Sequence, residues 1–571
     1  MDNLEQQTTY DMKQRLELTW IGKGEEDVLE PRILIENPEY SYGDPDTGNL
    51  LIHGDNLLAL RSLVASGYAG KVKCIYIDPP YNTGSAFEHY DDNVEHSIWL
   101  SLMKQRLELL RELLAPDGVI CCHIDDSEGH YLKVLLDEVF HRENYLATFY
   151  VRVRYADKTL KQDMDYHKEI EYIHIFQKSN KVSPNKPVKP YDYQAFNRYF
   201  IEGEISKTIQ LGGKTVEVFE KGQWKIEERE GSMEGRKEIW ASGTILDGNS
   251  SGRFFRDYLT GRYTEDGYGT LYKVYGIGDD QFDYRYFTGP NRIGAEKGKY
   301  YQGVPKNKLL ENEKRVSYAP ISNFYDLAGA FGNCRNEGGV DFRGGKKPEV
   351  LISTLLGYFS SPGDLVLDSF LGSGTTAAVA HKMGRRYIGI ELGDHAYTHC
   401  VPRLKKVIDG TDQGGITAST GWAGGGGFRF CELAPTLLNE DENGVMVISP
   451  EYNAEMLAAA MALHEGFRYA PDAEVFWKQG HSTESDYIYT TTQHLTIETL
   501  EYIDSLLGEG ETLLICCTSH GAGLGSRFPR ITVKRIPRML LGRCAFDPAK
   551  SYDLNIITLP EVDPQDEDDD E

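Results

Sequence analysis

The run Cys74-Ile75-Tyr76-Ile77-Asp78-Pro79-Pro80-Tyr81-Asn82-Thr83-Gly84 constrains this chain more than any other stretch. A short apolar segment that reads as a buried parallel strand stops at a carboxylate, two prolines and an aromatic ring. Proline has no N–H for a neighbouring strand, so a central strand cannot run through this pair. The stop puts a hydrogen-bond acceptor, rigid carbonyls and a stacking surface at a strand's carboxyl edge, where open α/β sheets hold their ligands.

Strands and helices alternate around it. Residues 49–60 read as a strand, a Gly54-Asp55-Asn56 turn and a helix running to about 65, which sets Asp55 just past a strand end, a position that also suits a turn or helix-cap aspartate. A polar and aromatic loop over 84–93 leads to a helix over 94–114 with Leu100, Met103, Leu107, Leu110 and Leu114 on one face, stopped by Ala115-Pro116-Asp117-Gly118. A strand over 118–124 and a helix over 131–140 follow, and the alternation predicts a parallel sheet covered on both faces.

The same pattern resumes with a helix over 347–359, a strand over 365–368, the turn Ser369-Phe370-Leu371-Gly372-Ser373-Gly374-Thr375-Thr376, a helix to about 383 and a strand over 386–391. Strand, glycine turn, helix and a second strand ending in an acid make one nucleoside-binding half. Gly372 and Gly374 let backbone approach a ligand, and Glu391, 17 residues after Gly374, can accept hydrogen bonds from a ribose. No G-x-x-x-x-G-K-[ST] occurs, which argues against nucleoside triphosphate hydrolysis. A dinucleotide enzyme stays open from the turn alone, but it leaves Asp-Pro-Pro-Tyr unexplained.

Between the halves, residues 178–345 are rich in Gly, Tyr, Lys and Asp and read as an irregular, β-containing insert. Basic and aromatic residues interleave there, making Arg253, Arg256, Arg262, Arg285 and Lys299 candidates for nucleic-acid contacts. A tyrosine-rich domain produces the same interleaving by chance, so both readings stand. After a glycine-rich connector, residues 433–560 read as a second small α/β unit without a ligand signature, expected to serve oligomerisation or partner docking. Residues 1–48 are polar, with a helix expected over 9–18.

At 571 residues the chain calls for three or four units. It has no run of about 18 apolar residues and no signal-peptide pattern at its start, so a cytoplasmic location is expected. The nine cysteines include Cys121-Cys122 and Cys516-Cys517 in apolar runs but no C-x-x-C, and they read as reduced core residues, with no metal site expected. Of the net charge of -27, eight negative charges fall in residues 561–571, a tail read as a solvated end. The -19 left on the first 560 residues argues against diffuse polyanion binding, so contacts with nucleic acid would have to be local or shared with a partner.

Asp78-Pro79-Pro80-Tyr81 resembles the catalytic motif of amino-methyltransferases that use S-adenosylmethionine, and residues 368–376 resemble their cofactor loop. The catalytic motif comes first, with a large insert between, which resembles the permuted arrangement of β-class DNA methyltransferases. Together with His123-Ile124-Asp125-Asp126-Ser127-Glu128 and Gly425-Gly426-Gly427-Phe428-Arg429, the chain is similar to modification subunits of type III restriction–modification systems over about 49–178 and 340–432.

The resemblance implies an α/β, Rossmann-like methyltransferase sheet, circularly permuted, with an irregular α+β target-recognition insert and a small C-terminal α/β domain. The expected divisions are 1–48, a catalytic half 49–177, the insert 178–345, a cofactor half 346–410, a connector 411–432, the C-terminal domain 433–560 and the tail 561–571. Asp78, Pro79, Pro80 and Tyr81 would be catalytic; Asp55, Phe370, Gly372, Gly374, Thr375, Glu391, Lys347 and Pro348 would hold S-adenosylmethionine. Aspartate at 78 favours N6 of a flipped adenine in double-stranded DNA, with N4 of cytosine as the alternative. A homodimer and a separate restriction, helicase or other defence subunit are the implied partners, and the other reading is a recognition subunit that mainly delivers such a partner.

Overall fold

The computed structural model describes residues 17–26, 28–81, 92–155, 166–179, 181–190, 192–241, 250–306, 316–342, 345–524, 527–546 and 552. Asn82, Thr83 and Gly84, most of the expected loop over 84–93 and of the helix over 9–18, and the acidic tail lie outside them. The chain forms two compact units, one of Met1–Asn185 with Ser322–Glu571 and one of Lys186–Ile321.

The first unit is built on an eleven-stranded sheet. In chain order its main strands are β1 (Leu34–Glu36), β2 (Leu50–His53), β3 (Val72–Ile77), β4 (Leu114–Ile124), β5 (Tyr145–Arg152), β6 (Ile170–Gln177), β7 (Phe324–Asp326), β8 (Leu365–Asp368), β9 (Arg386–Glu391) and β10 (Gly427–Leu433). Their order across the sheet is β1-β10-β2-β9-β8-β3-β4-β6-β5-β7. From β10 to β4 every neighbouring pair is parallel, whereas β6 runs antiparallel to both β4 and β5. The central strands are nearly continuous apolar runs because both faces are covered: β3 is buried except at Lys73, and β8 is buried throughout.

Helices α1 (Asn56–Leu63), α2 (Asp92–Leu113), α3 (Gly129–Phe140), α4 (Glu349–Phe359), α5 (Thr375–Lys382) and α6 (Val401–Ile408) belong to the same unit. Met103, Leu107 and Leu110 of α2 and Leu132 and Leu136 of α3 join Ile75, Ile77 and Leu367 of the strands in one core. The strand leading to Asp78 precedes the one ending at Asp368 in the chain, yet the two pair directly, Cys74 opposite Val366 and Ile75 opposite Leu367.

The second compact unit, Lys186–Ile321, falls inside the expected insert 178–345. Phe324–Asp326 pairs in parallel with β5, and Asn185 donates to the carbonyls of Gly357 and Ser360, so both flanks are bonded into the large α/β unit. The second unit itself carries a six-stranded antiparallel sheet with Val216, Val218, Phe254, Phe255 and Phe287 in one core and Phe219, Leu271, Tyr286 and Tyr301 in another. Residues 468–535 supply a separate five-stranded sheet, whose last three strands are parallel. All nine cysteines are free and eight are buried. No helix among the described residues is long and apolar enough to cross a membrane.

Helices α4 and α5 meet across a buried ionic cluster. Lys382 Nζ lies 2.8 Å from Glu349 Oε2 and 2.6 Å from Asp412 Oδ2, and Arg403 Nη2 lies 2.8 Å from Glu349 Oε1. The side chains of Lys382, Glu349 and Arg403 are 0% exposed, so each charge depends on its partners in place of water. Lys382→Met strands carboxylates in the interior and is expected to cost about 3–5 kcal/mol. Thermal unfolding reads this as a marked fall in midpoint, and an unchanged midpoint would contradict the assignment.

Candidate active site

Four acids gather at the carboxyl edge of the parallel strands: Asp78 follows β3, Asp368 ends β8, Glu391 ends β9 and Asp55 follows β2. A small cavity at this edge is lined by Asp78 and Asp368, with Tyr76, Lys347, Phe370, Gly372 and Thr375 among others. Strand pairing thus brings the expected catalytic and cofactor segments to one opening.

The glycine turn has the backbone its residues predict. Gly372 (φ +55°) and Gly374 (φ +80°) are left-handed, and Gly374 caps α5. A Cβ on Gly372 would meet nothing within 4 Å, which marks open space over the turn, whereas one on Gly374 would come 3.3 Å from Cys400 Cα. Glu391 braces the turn: Oε2 accepts from Gly372 N–H at 2.6 Å and Oε1 from Gly393 N–H at 2.9 Å. Burial raises the Glu391 carboxyl above its ordinary range.

Asp368 accepts from Phe370 N–H at 2.9 Å and from Thr376 Oγ1 at 2.6 Å, and burial pushes its carboxyl up to about 7 despite these bonds. Thr375 is held from below by Arg403 Nη1 at 2.8 Å. Asp55 takes the helix-cap position, its Oδ1 accepting from Leu57 and Leu58 N–H at 2.8 and 3.1 Å, and, like Glu391 and Gly374, it does not itself line the cavity. Pro348 is buried and caps α4.

Lys347, expected beside the cofactor, points its ammonium at the Asp-Pro-Pro-Tyr run. Its Nζ lies 3.2 Å from Asp78 Oδ2, 2.8 Å from the Tyr81 hydroxyl and 3.3 Å from Glu171 Oε2. Tyr81 donates to Asp78 Oδ1 at 2.8 Å, so each Asp78 oxygen has a donor. Trp99 Nε1 donates to the Pro80 carbonyl at 3.1 Å, while the Pro79 carbonyl has no donor among the described residues.

Behind this group His123 Nε2 lies 2.8 Å from Glu171 Oε2, and His123 Nδ1 lies 2.8 Å from the Tyr76 hydroxyl. Burial opposes charge on Glu171, but Lys347 and His123 outweigh it and hold the carboxyl well below the usual range. Burial likewise opposes charge on Lys347, and Asp78 and Glu171 more than restore it. Sequence reasoning missed Glu171 and Trp99, and quoted His123 only within a family motif, with no role at the site. A carboxylate next to the apolar run Tyr172-Ile173 of a buried strand is a signal; Trp99 on the apolar face of α2 is indistinguishable from core.

The insert's candidates separate by burial. Arg285 is only 3% exposed and pairs with Asp280 and Ser251 in the interior, which makes it a structural residue and not a DNA contact. Phe254, Phe255, Tyr286, Phe287, Tyr300 and Tyr301, which supplied the aromatic half of the pattern, are buried core. Arg262 is tied to Asp266 at 2.8 Å and Lys299 to Glu238 at 2.6 Å. Arg253 and Arg256 are exposed, the latter paired with Asp257 at 2.7 Å, and Trp240 offers an exposed ring beside Lys299.

The raised Asp368 carboxyl has a pH consequence. Between its ordinary value near 3.8 and about 7 the folded chain holds a proton that the unfolded chain has lost. The stability this confers is complete below the lower value, falls as pH rises and is gone above the higher one. Relative to wild type, Asp368→Asn is expected to gain in unfolding midpoint from pH 5 to pH 7 and to hold constant from 7 to 9, since the proton is lost at about 7. A gap that does not move would refute the assignment.

Comparison with known proteins bears on the same residues. The DNA methylase family model (N6/N4 methyltransferases) matches residues 72–401, more than half of the chain and both sides of the cavity. The "Probable type III restriction-modification enzyme HindVI Mod subunit" of Haemophilus influenzae (strain ATCC 51907 / DSM 11121 / KW20 / Rd) is 36% identical over 423 residues, covering 70% of this chain and 56% of that protein. The "Type III restriction-modification enzyme EcoPI Mod subunit" of Escherichia phage P1 is 29% identical over 421 residues, covering 65% and 61%. This chain therefore spans about three fifths of the length of these relatives. Among solved structures, PvuII DNA methyltransferase (cytosine-N4-specific) matches 63% of this chain and 89% of its own at 13% identity, with a TM-score of 0.32. With a match that takes in β3, the insert, the glycine turn and β9, this chain belongs to the DNA methylase family.

Proposed function

We propose that the chain transfers a methyl group from S-adenosylmethionine to N6 of an adenine flipped out of double-stranded DNA, within a restriction–modification or related phage-defence system in the cytoplasm. The observation that carries this reading is one cavity lined by Asp78 of the Asp-Pro-Pro-Tyr run together with Asp368, Phe370, Gly372, Ser373 and Thr375 of the glycine turn, with Tyr81 bonded to Asp78 and Glu391 bonded to Gly372 N–H just behind.

The residues present fit that cofactor. Gly372 leaves open space above the turn, Ser369 Oγ is buried without a hydrogen-bond partner among the described residues, and the acids at the opening suit a cationic ligand. Phe370, Gly372, Gly374, Thr375 and Glu391 would hold it, with Asp55 and Pro348 fixing the adjoining helices. When bound, S-adenosylmethionine supplies an electrophilic methyl on a sulfonium.

The exocyclic amine is conjugated with its ring and is a poor nucleophile until its lone pair is freed. Asp78 and the Pro79 carbonyl accept its two hydrogens, aim the lone pair and stabilise the positive charge that develops on nitrogen. A carboxylate oxygen has two acceptor sites, so Asp78 can take the amine while Tyr81 and Lys347 stay in place. Tyr81 offers a ring for the flipped base, offsetting part of an unstacking cost of a few kcal/mol. After transfer the nitrogen is acidic and releases its proton to Asp78 or to solvent.

Residues 186–321 would read the sequence. They hold 22 Lys and Arg against 20 Asp and Glu in a chain of net charge -27, which concentrates what basic surface there is. A homodimer, in which one copy reads and the other modifies, and a separate restriction or helicase subunit complete the proposal.

Long-read sequencing of DNA from a methylation-deficient host expressing the chain tests it. Wild type is expected to leave N6-methyladenine at one position of a recurrent string, and Asp78→Ala to lower the modification rate at least ~100-fold. N4-methylcytosine in place of N6-methyladenine would transfer the proposal to that base, and an unmarked genome would reject the enzymatic reading.

A further inference from the structure

We infer that Glu171 is a positioning residue for methyl transfer, acting on Asp78 through Lys347 and Tyr81. This rests on the methyltransferase reading above. Glu171 lies on β6, two strands away from β3 across the sheet, and is absent from both the Asp-Pro-Pro-Tyr run and the glycine turn. Three groups nonetheless converge on its Oε2: Lys347 Nζ at 3.3 Å, the Tyr81 hydroxyl at 3.2 Å and His123 Nε2 at 2.8 Å.

Two of these three are the groups that hold Asp78, one on each oxygen. An ammonium has three N–H bonds, and Lys347 has three acceptors for them: Asp78, Tyr81 and Glu171. Glu171 thus supplies the third point that orients the ammonium. Without it the ammonium can swing about the other two and carry the Asp78 carboxylate with it.

Charge gives a second reason. Glu171 places a second carboxylate behind the Asp78–Lys347 pair, in a position only 14% exposed where solvent screens its interaction with the ammonium little. His123, fully buried and bonded to Tyr76 through Nδ1, sets its Nε2 2.8 Å from the carboxylate on the other side. The row Tyr76, His123, Glu171 crosses three adjacent strands, β3, β4 and β6, and so ties the position of Glu171 to the sheet.

The test is a double-mutant cycle of Glu171→Gln and Lys347→Met in the full chain, using labelled S-adenosylmethionine and unmethylated bacterial genomic DNA, which contains the target string whatever it is. Glutamine keeps the shape and removes the charge. The expected results are a fall in kcat of about 100-fold for Glu171→Gln, calorimetric affinity for S-adenosylmethionine within about twofold of wild type, and a double variant little worse than the poorer single one. An unchanged kcat, additive losses, or a loss of cofactor affinity equal to the loss of kcat would overturn the inference. The same four proteins are compared by thermal unfolding: non-additive midpoint shifts support the Glu171–Lys347 contact, and additive shifts overturn it. If wild type transfers no methyl group the methyltransferase reading fails on that result, and the unfolding cycle still judges the contact.

Discussion

The pairing of β3 with β8 is the constraint on which the site depends. Both strands are short, apolar and buried, and each ends at an aspartate that cannot be buried cheaply. Parallel pairing sets their carboxyl ends side by side, so the register that hides Ile75 and Leu367 also delivers Asp78 and Asp368 to one opening. Glu391 arrives by the same rule, since β9 pairs in parallel with β8. Packing of apolar strands and assembly of an acidic edge are one event.

Such an edge needs cations, and the chain supplies them from segments distant in sequence. Lys347 enters from the loop before α4 and settles among Asp78, Tyr81 and Glu171; Arg403 enters from α6 and braces Thr375 beneath the glycine turn. These are buried charges, and their worth lies in orientation more than in stability, because desolvation consumes most of the Coulombic gain. On the methyl-transfer reading proposed above, a site for a cationic ligand and a cationic transition state benefits from acids whose geometry is fixed before the ligand arrives.

The same physics explains the insert's mixed outcome. Alternating basic and aromatic residues along a strand place one kind on each face. Where the unit has a core on both faces of its sheet, as it does around Phe287 and Tyr286, the aromatic positions are consumed by packing and an arginine such as Arg285 must find an internal partner. Composition signalled a surface; the sheet turned most of that signal inward and left Arg253, Arg256 and Trp240 outside.

By itself the sequence determined the strands that end in acids, the glycine turn and the alternation of strands and helices, because these follow from local steric rules: proline ends a strand, glycine permits a left-handed turn and apolar runs seek burial; its motifs carried the family resemblance besides. Only the tertiary structure decided which distant groups touch. That Glu171 stands behind Asp78, that Lys347 faces the Asp-Pro-Pro-Tyr run and that Arg285 is buried all depend on strand order and register, which no local pattern encodes; the helix cap made by Asp55, a contact with Leu57 and Leu58 N–H, was within reach of the local pattern. In the Asp78-Pro79-Pro80-Tyr81 run, residue types gave an acceptor, rigid carbonyls and a ring at a strand's end, and the family resemblance gave the chemistry; its neighbours Glu171 and Trp99 became visible once the adjacent strands and α2 were laid against it.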